Sequence, residues 1–135
     1  MSNESERIRK TWAQVSALPD DFARIFYANL FRIDPSTKPL FVGDLELQGR
    51  KLVQTLGFIV DNIDSAETLM PAAQDLAIRH VAYGVTAAQY PSVGTAIVNS
   101  MQQILGEQFS IKDRDAWVET YDGLADAMIA AAYPA

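Results

Sequence analysis

The chain reads as an all-α protein forming one domain over residues 1–135, and three observations carry that expectation. Apolar residues recur at three- and four-residue spacing along every long segment. Nowhere do four or more residues alternate cleanly between apolar and polar, as a half-buried strand requires. Hydrophobic residues make up 49% of the sequence and charged residues 21%, too apolar for disorder, so a single hydrophobic core is expected at this length.

A first helix is predicted from Asn3, with Glu6 at capping-box spacing and Ile8, Trp12 and Val15 on one face, running to a break at Pro19. A second begins near Asp20, where Asp20 and Asp21 favour its positive end, and continues through Phe22, Phe26 and Leu30. Asp34-Pro35 ends it, because proline disfavours a helical residue before it. One or two turns to Leu40 and a corner from Phe41 to Asp44 follow. A fourth helix spans Leu45 to Ile63 with Leu52, Leu56, Ile59 and Ile63 on its stripe. Asp64 and Glu67 have capping-box spacing for the fifth, which carries His80 and ends near Gly84. Thr86 and Gln89 suggest another cap, with Pro91 in the first turn of a helix bearing Val93, Ile97, Met101, Ile104 and Leu105 up to Gly106. The last helix holds Trp117, Tyr121, Leu124, Met128 and Ile129, and these final two are expected to be strongly amphipathic.

The net charge of −6, from 11 Lys and Arg against 17 Asp and Glu, argues against a nucleic-acid partner. No apolar run approaches the roughly 18 to 20 residues of a membrane span, so no membrane insertion is expected. The polar first six residues lack the basic-then-apolar order of a signal peptide, and a cytoplasmic protein is the expectation. With no cysteine, thiolate ligands, iron-sulfur clusters and disulfides are excluded.

His80 is the one histidine, which excludes two-histidine metal chemistry. On its own, a histidine on an apolar helix face is more often a hydrogen-bonded core or surface residue than a ligand. Tyr27 follows Phe26 and would bury its ring while its hydroxyl needs a partner, although simple packing is the alternative. Gln48 lies four residues before Leu52 and eight before Leu56, so its amide falls on the buried stripe or in an exposed first turn. No carboxylate stands at a metal-binding spacing from His80, and no serine elbow, phosphate loop or dinucleotide glycine motif is present.

Together these residues resemble the bacterial single-domain globins related to the haem domain of flavohaemoglobins. The resemblance covers nearly the whole chain. It is carried by Phe26 and Tyr27 through Phe31, by Asp34-Pro35 and Phe41, by Gln48 through Gly57, by Arg79-His80 through Val85, by Tyr90 through Gly94, and by Ala116-Trp117. It implies a globin fold, a three-over-three helical sandwich of seven or eight helices around haem b. His80 matches the proximal iron ligand, Phe41 the corner phenylalanine on the porphyrin, and Tyr27 with Gln48 the distal pair. Leu52, Val85, Tyr90 and Val93 would line a dry pocket. The second imidazole nitrogen of His80 would find the Leu76 carbonyl one turn earlier. A gapless match would put Lys51 at the distal position; Gln48 is preferred because Lys51 falls off the apolar stripe. Lys51 and Arg79 would reach the haem propionates, with solvated surface cations as the alternative.

The sequence departs from the flavohaemoglobin pattern where Tyr90 matches a proximal tyrosine but Pro134 stands in place of its glutamate partner. Its last residue here is Ala135, so flavin and nicotinamide domains are not expected within it. The resemblance thus implies tight binding of O2, with NO and CO as further ligands, serving O2 scavenging or NO detoxification. NO dioxygenation would need an external flavin or NAD(P)H reductase. A monomer or weak homodimer is expected. The alternatives are a haem-free sensory or interaction domain of globin fold and a haem redox enzyme acting on nitrite or peroxide.

Overall fold

In the computed structural model, residues 3–133 are described, apart from the side chain of Asn3. The predicted cap at Asn3 and the substitution at Pro134 therefore lie outside the described residues. Six α-helices follow in order: α1 Asn3–Ser16, α2 Pro19–Ile33, α3 Leu45–Asp61, α4 Ala66–Ala82, α5 Tyr90–Leu105 and α6 Ile111–Ala132. Among the described residues there is no strand.

Pro19 starts α2 rather than merely ending α1, because a proline lacks the N–H that a first helical residue leaves unbonded and its φ is already helical. Asp34 caps the 3-10 turn Pro35–Leu40 by accepting from the Ser36 N–H at 3.1 Å. Asp44 caps α3 in the same way, through the N–H groups of Glu46 and Leu47. Asp64 was expected to cap α4, but Ser65 holds the cap position. The Asp64 carboxylate instead accepts from Ser5 at 2.7 Å and Arg9 at 2.9 Å, tying α1 to the start of α4. Gly84, with φ +91°, turns the chain after α4, a conformation that costs a Cβ-bearing residue.

One layer holds α1, α3 and α4, and the other α2, α5 and α6. The main packed pairs are α2 with α5, α4 with α6, and α2 with α3. Helix α6 touches α1, α4 and α5, so its apolar residues spread around the helix rather than forming the single strong stripe expected of it. Its Trp117 Nε1–H donates to the buried Thr11 hydroxyl at 2.7 Å, and Thr11 in turn donates to the Arg7 carbonyl at 2.7 Å.

The expected single core is in fact two. The larger cluster is built on Trp12, Phe22, Phe26, Leu30, Met101 and Trp117, from α1, α2, α5 and α6. A smaller one lies between α4 and α6, around Ala73, Ala77, Tyr90, Ala125 and Met128. Helices α3 and α4 are not among the pairs that pack along their lengths. A cleft therefore runs between them, with the larger cluster behind α3 and the smaller behind α4. No described helix is long and apolar enough to cross a membrane.

Candidate functional site

His80 stands half-buried in the last turn of α4. Its Nδ1 lies 2.8 Å from the Leu76 carbonyl. A carbonyl can only accept, so Nδ1 carries the proton and Nε2 keeps its lone pair. Burial pushes the imidazole pKa below its ordinary 6.5, against the hydrogen bond to Leu76 and with help from the Arg79 charge. At neutral pH the ring is thus a neutral, oriented nitrogen donor. Tyr90 and Tyr83 flank it, with ring centroids 6.0 and 6.4 Å away.

Tyr27 is buried in α2. Its ring meets Phe41 edge-on at 5.1 Å and stacks with Phe31 at 5.9 Å. Burial pushes its pKa up to about 12, so it remains a phenol able to donate a hydrogen bond. Helix α3 comes close here because residue 49 is glycine: a Cβ would stand 2.7 Å from the Ala23 Cβ and 3.6 Å from Tyr27 Cε2. Gln48, one residue earlier, is half-buried, and its Nε2 donates to the Val42 carbonyl at 2.6 Å. One of its two N–H groups is therefore engaged with the corner. Lys51 is exposed, as is Arg79.

The remaining predicted residues divide between the walls. Phe41, Leu52 and Val93 pack on the larger cluster, and Val85 and Tyr90 belong to the smaller. Two tyrosines hold the segment after His80: Tyr133, just past α6, donates to the Val85 carbonyl, and Tyr121 of α6 to the Tyr90 carbonyl at the start of α5, both at 2.7 Å. The Tyr90 hydroxyl is buried with no hydrogen-bond partner among the described residues. Burial, and then the neighbouring Tyr133 hydroxyl, push its pKa up.

A cavity of about 320 Å³ opens between α3, α4 and α6, within the range of small-molecule sites. Its walls include Thr55, Phe58 and Ile59 from α3, Leu76 from α4, and Leu124 and Met128 from α6. Leu76 and Arg79 join it to the turn of α4 that carries His80. Sequence reasoning missed Thr55, Leu124 and Met128 as lining residues. For Thr55 a signal existed, since positions 48, 52, 55 and 59 share one helical face. No spacing could have brought α6 to the same place. Among the described residues no cluster of three His, Asp or Glu could hold a bare metal ion.

This donor set would suit a flat apolar macrocycle carrying a metal that one neutral imidazole can hold. The set has one lone-pair nitrogen, a split apolar core with Phe58 lining the gap while 42% exposed, and a buried phenol beside Phe41.

Comparison with known proteins agrees with the architecture. The family model described as Globin matches residues 24–128, and the chain belongs to the globin family. A flavohemoprotein from Halalkalibacterium halodurans is 27% identical over 133 residues, covering 96% of this chain and 32% of that protein. One from Bordetella parapertussis is 30% identical over 109 residues, covering 78% of this chain and 27% of the relative. The chain thus spans about a third or less of the length of these curated relatives. A solved structure of a bacterial globin from Campylobacter jejuni superposes with a TM-score of 0.82 at 22% identity, over 97% of this chain and 95% of the other.

Proposed function

We propose that the chain binds haem b in the cleft between α3 and α4 and takes up O2 with high affinity, together with NO and CO, on the face opposite His80. The observation that carries this is the hydrogen bond from His80 Nδ1 to the Leu76 carbonyl, which leaves Nε2 as an oriented, unprotonated donor. Bound haem would supply an iron that coordinates a gas and changes oxidation state by single electrons. The protein supplies the rest. His80 holds the iron from one side. Phe41 packs on the ring, and Leu52, Val93, Val85 and Tyr90 keep water away. Arg79 and Lys51 serve the propionates.

Tyr27 donates from the distal wall, and Gln48 can add its second N–H. Hydrogen bonds to partly charged groups contribute roughly 1.5 to 3 kcal/mol each, so the pair would slow gas release by about two to four orders of magnitude if additive. Tight retention suits O2 scavenging or NO removal better than delivery. In NO removal, one O2, one NO and one electron give one nitrate. The electron would come from a separate flavin or NAD(P)H reductase, a partner suggested by the flavohemoprotein relatives.

Titrating purified protein with haem tests the proposal. An intense porphyrin absorption band should grow to one haem per chain, and His80→Ala should abolish or grossly alter it. A folded protein that takes up no haem would overturn it. Nitrate formation from NO and O2, driven by an added reductase, then separates turnover from simple O2 retention.

A further inference from the structure

The two walls of the cleft are joined near its corner by a buried side-chain amide. Gln89, 8% exposed, lies in the loop between His80 and Tyr90 on the proximal side. Its Oε1 accepts from the Thr86 N–H at 2.9 Å. Its Nε2 reaches across the fold to Ser36, donating to the hydroxyl at 3.2 Å and to the carbonyl at 3.3 Å. Ser36 donates its own hydroxyl proton to Asp34 Oδ1 at 2.5 Å, and a hydroxyl that donates to a carboxylate becomes a better acceptor. The other Asp34 oxygen accepts from Ser92 in the first turn of α5 at 2.8 Å. A Cβ on Gly84 would sit 3.6 Å from Leu40, so the same loop also lies against the end of the 3-10 turn.

What Ser36 belongs to gives this contact its consequence. The turn Pro35–Leu40 carries two prolines and an Asp34 cap, and it runs directly into Phe41, which faces Tyr27, and Val42, which holds Gln48. Because α3 and α4 are not among the packed pairs, this contact is a direct tie between the segment that follows His80 and the turn that leads into α3. We propose that Gln89 is a positioning residue for the gas-binding site. It ties the loop that follows His80 to the corner that places Phe41 and Gln48, and so sets the distal groups relative to the proximal imidazole. The inference rests on the haem reading above for its role, but not for its geometry.

Two variants test it. Gln89→Met keeps the volume and removes both polar contacts, whereas Gln89→Glu keeps the acceptor for Thr86, loses the donors to Ser36 and adds a carboxylate facing the Ser36 carbonyl and Asp34. In haem-free protein, amide hydrogen exchange across residues 41–48 should quicken roughly three- to tenfold in both variants, the worth of one or two buried hydrogen bonds. In the haem protein, the C–O stretching band of the carbon monoxide complex reports the field at the distal pocket. It should shift or split in both variants, although the change is made on the proximal side. Unchanged exchange across 41–48, or an unchanged C–O band, in a folded Gln89→Glu protein overturns the role. Gln89 would then be packing alone. If the protein takes up no haem, the exchange measurement still decides whether Gln89 holds the corner, while the gas-binding proposal fails separately.

Discussion

The proposed gas contact asks most of two side chains, Tyr27 and Gln48, and each can be tested singly. Tyr27 stays protonated because burial pushes its pKa up, so its donor capacity does not vary across neutral pH. Tyr27→Phe should therefore speed O2 release by about ten- to a hundredfold, from the 1.5 to 3 kcal/mol of a hydrogen bond to a partly charged group. Gln48→Leu should act in the same direction with a smaller effect. To serve the gas, its amide either uses its second N–H or leaves the Val42 carbonyl, which forfeits about 1 kcal/mol. Stopped-flow dissociation rates unchanged in both variants would remove these residues from the distal role. Away from the site, Thr11→Val keeps the shape of a buried side chain but strands the Trp117 N–H. Chemical unfolding should show a loss of about 1 to 3 kcal/mol.

Helices meet here through specific small residues. At Gly49 an added Cβ would stand 2.7 Å from the Ala23 Cβ, neither of which can rotate away. Gly49→Ala should lose about 1 to 3 kcal/mol of stability, the usual cost of overpacking, and push α3 away from Tyr27. Adding Ala23→Gly should restore part of both, and equal stability of the single and double variants would show that the crossing is not the cause. Gly94 is equally tight, since its Cβ would meet the Tyr121 ring at 2.5 Å while that ring is held by its hydroxyl on the Tyr90 carbonyl. The capping signals were uneven guides. Gln89 accepts from the Thr86 N–H as its capping-box spacing predicts, but Asp64 was drawn to Ser5 and Arg9 on another helix, which no local spacing could reveal.

Across the molecule, the division into two clusters makes α4 the wall with the smaller core behind it. A ligand seated between α3 and α4 should stabilise by mass action, about 2.7 kcal/mol at a hundredfold excess over its dissociation constant. Haem removal should accordingly lower the melting temperature and deprotect amides of α4 more than those of α2. The pH dependence follows from groups whose folded pKa is depressed. Hydrogen bonds from Ser36 and Ser92 hold Asp34 below 3.8, and those from Ser5 and Arg9 do so for Asp64. Such groups add stability above their unfolded pKa and lose it as pH falls through the folded value. His80, depressed by burial, has the same sign at higher pH: haem-free protein should begin to lose stability as pH drops below 6.5. Thermal unfolding from pH 8 to 2 should show both falls, and His80→Phe should erase only the upper one.

Helix order, the corner after Asp34-Pro35 and the turn at Gly84 were legible in the chain because they rest on local rules. Apolar period, proline sterics and glycine at positive φ act within a few residues. His80 was legible for a similar reason, since its partner Leu76 lies one turn away on the same helix. The cleft itself was not. Its existence depends on α3 and α4 failing to pack and on α6 serving three neighbours. Those are contacts between residues far apart in the chain, and periodicity marks a face as apolar without saying what it meets. The single core inferred from composition became two for that reason: burial can be counted from a sequence, but where it divides is settled by which faces find one another.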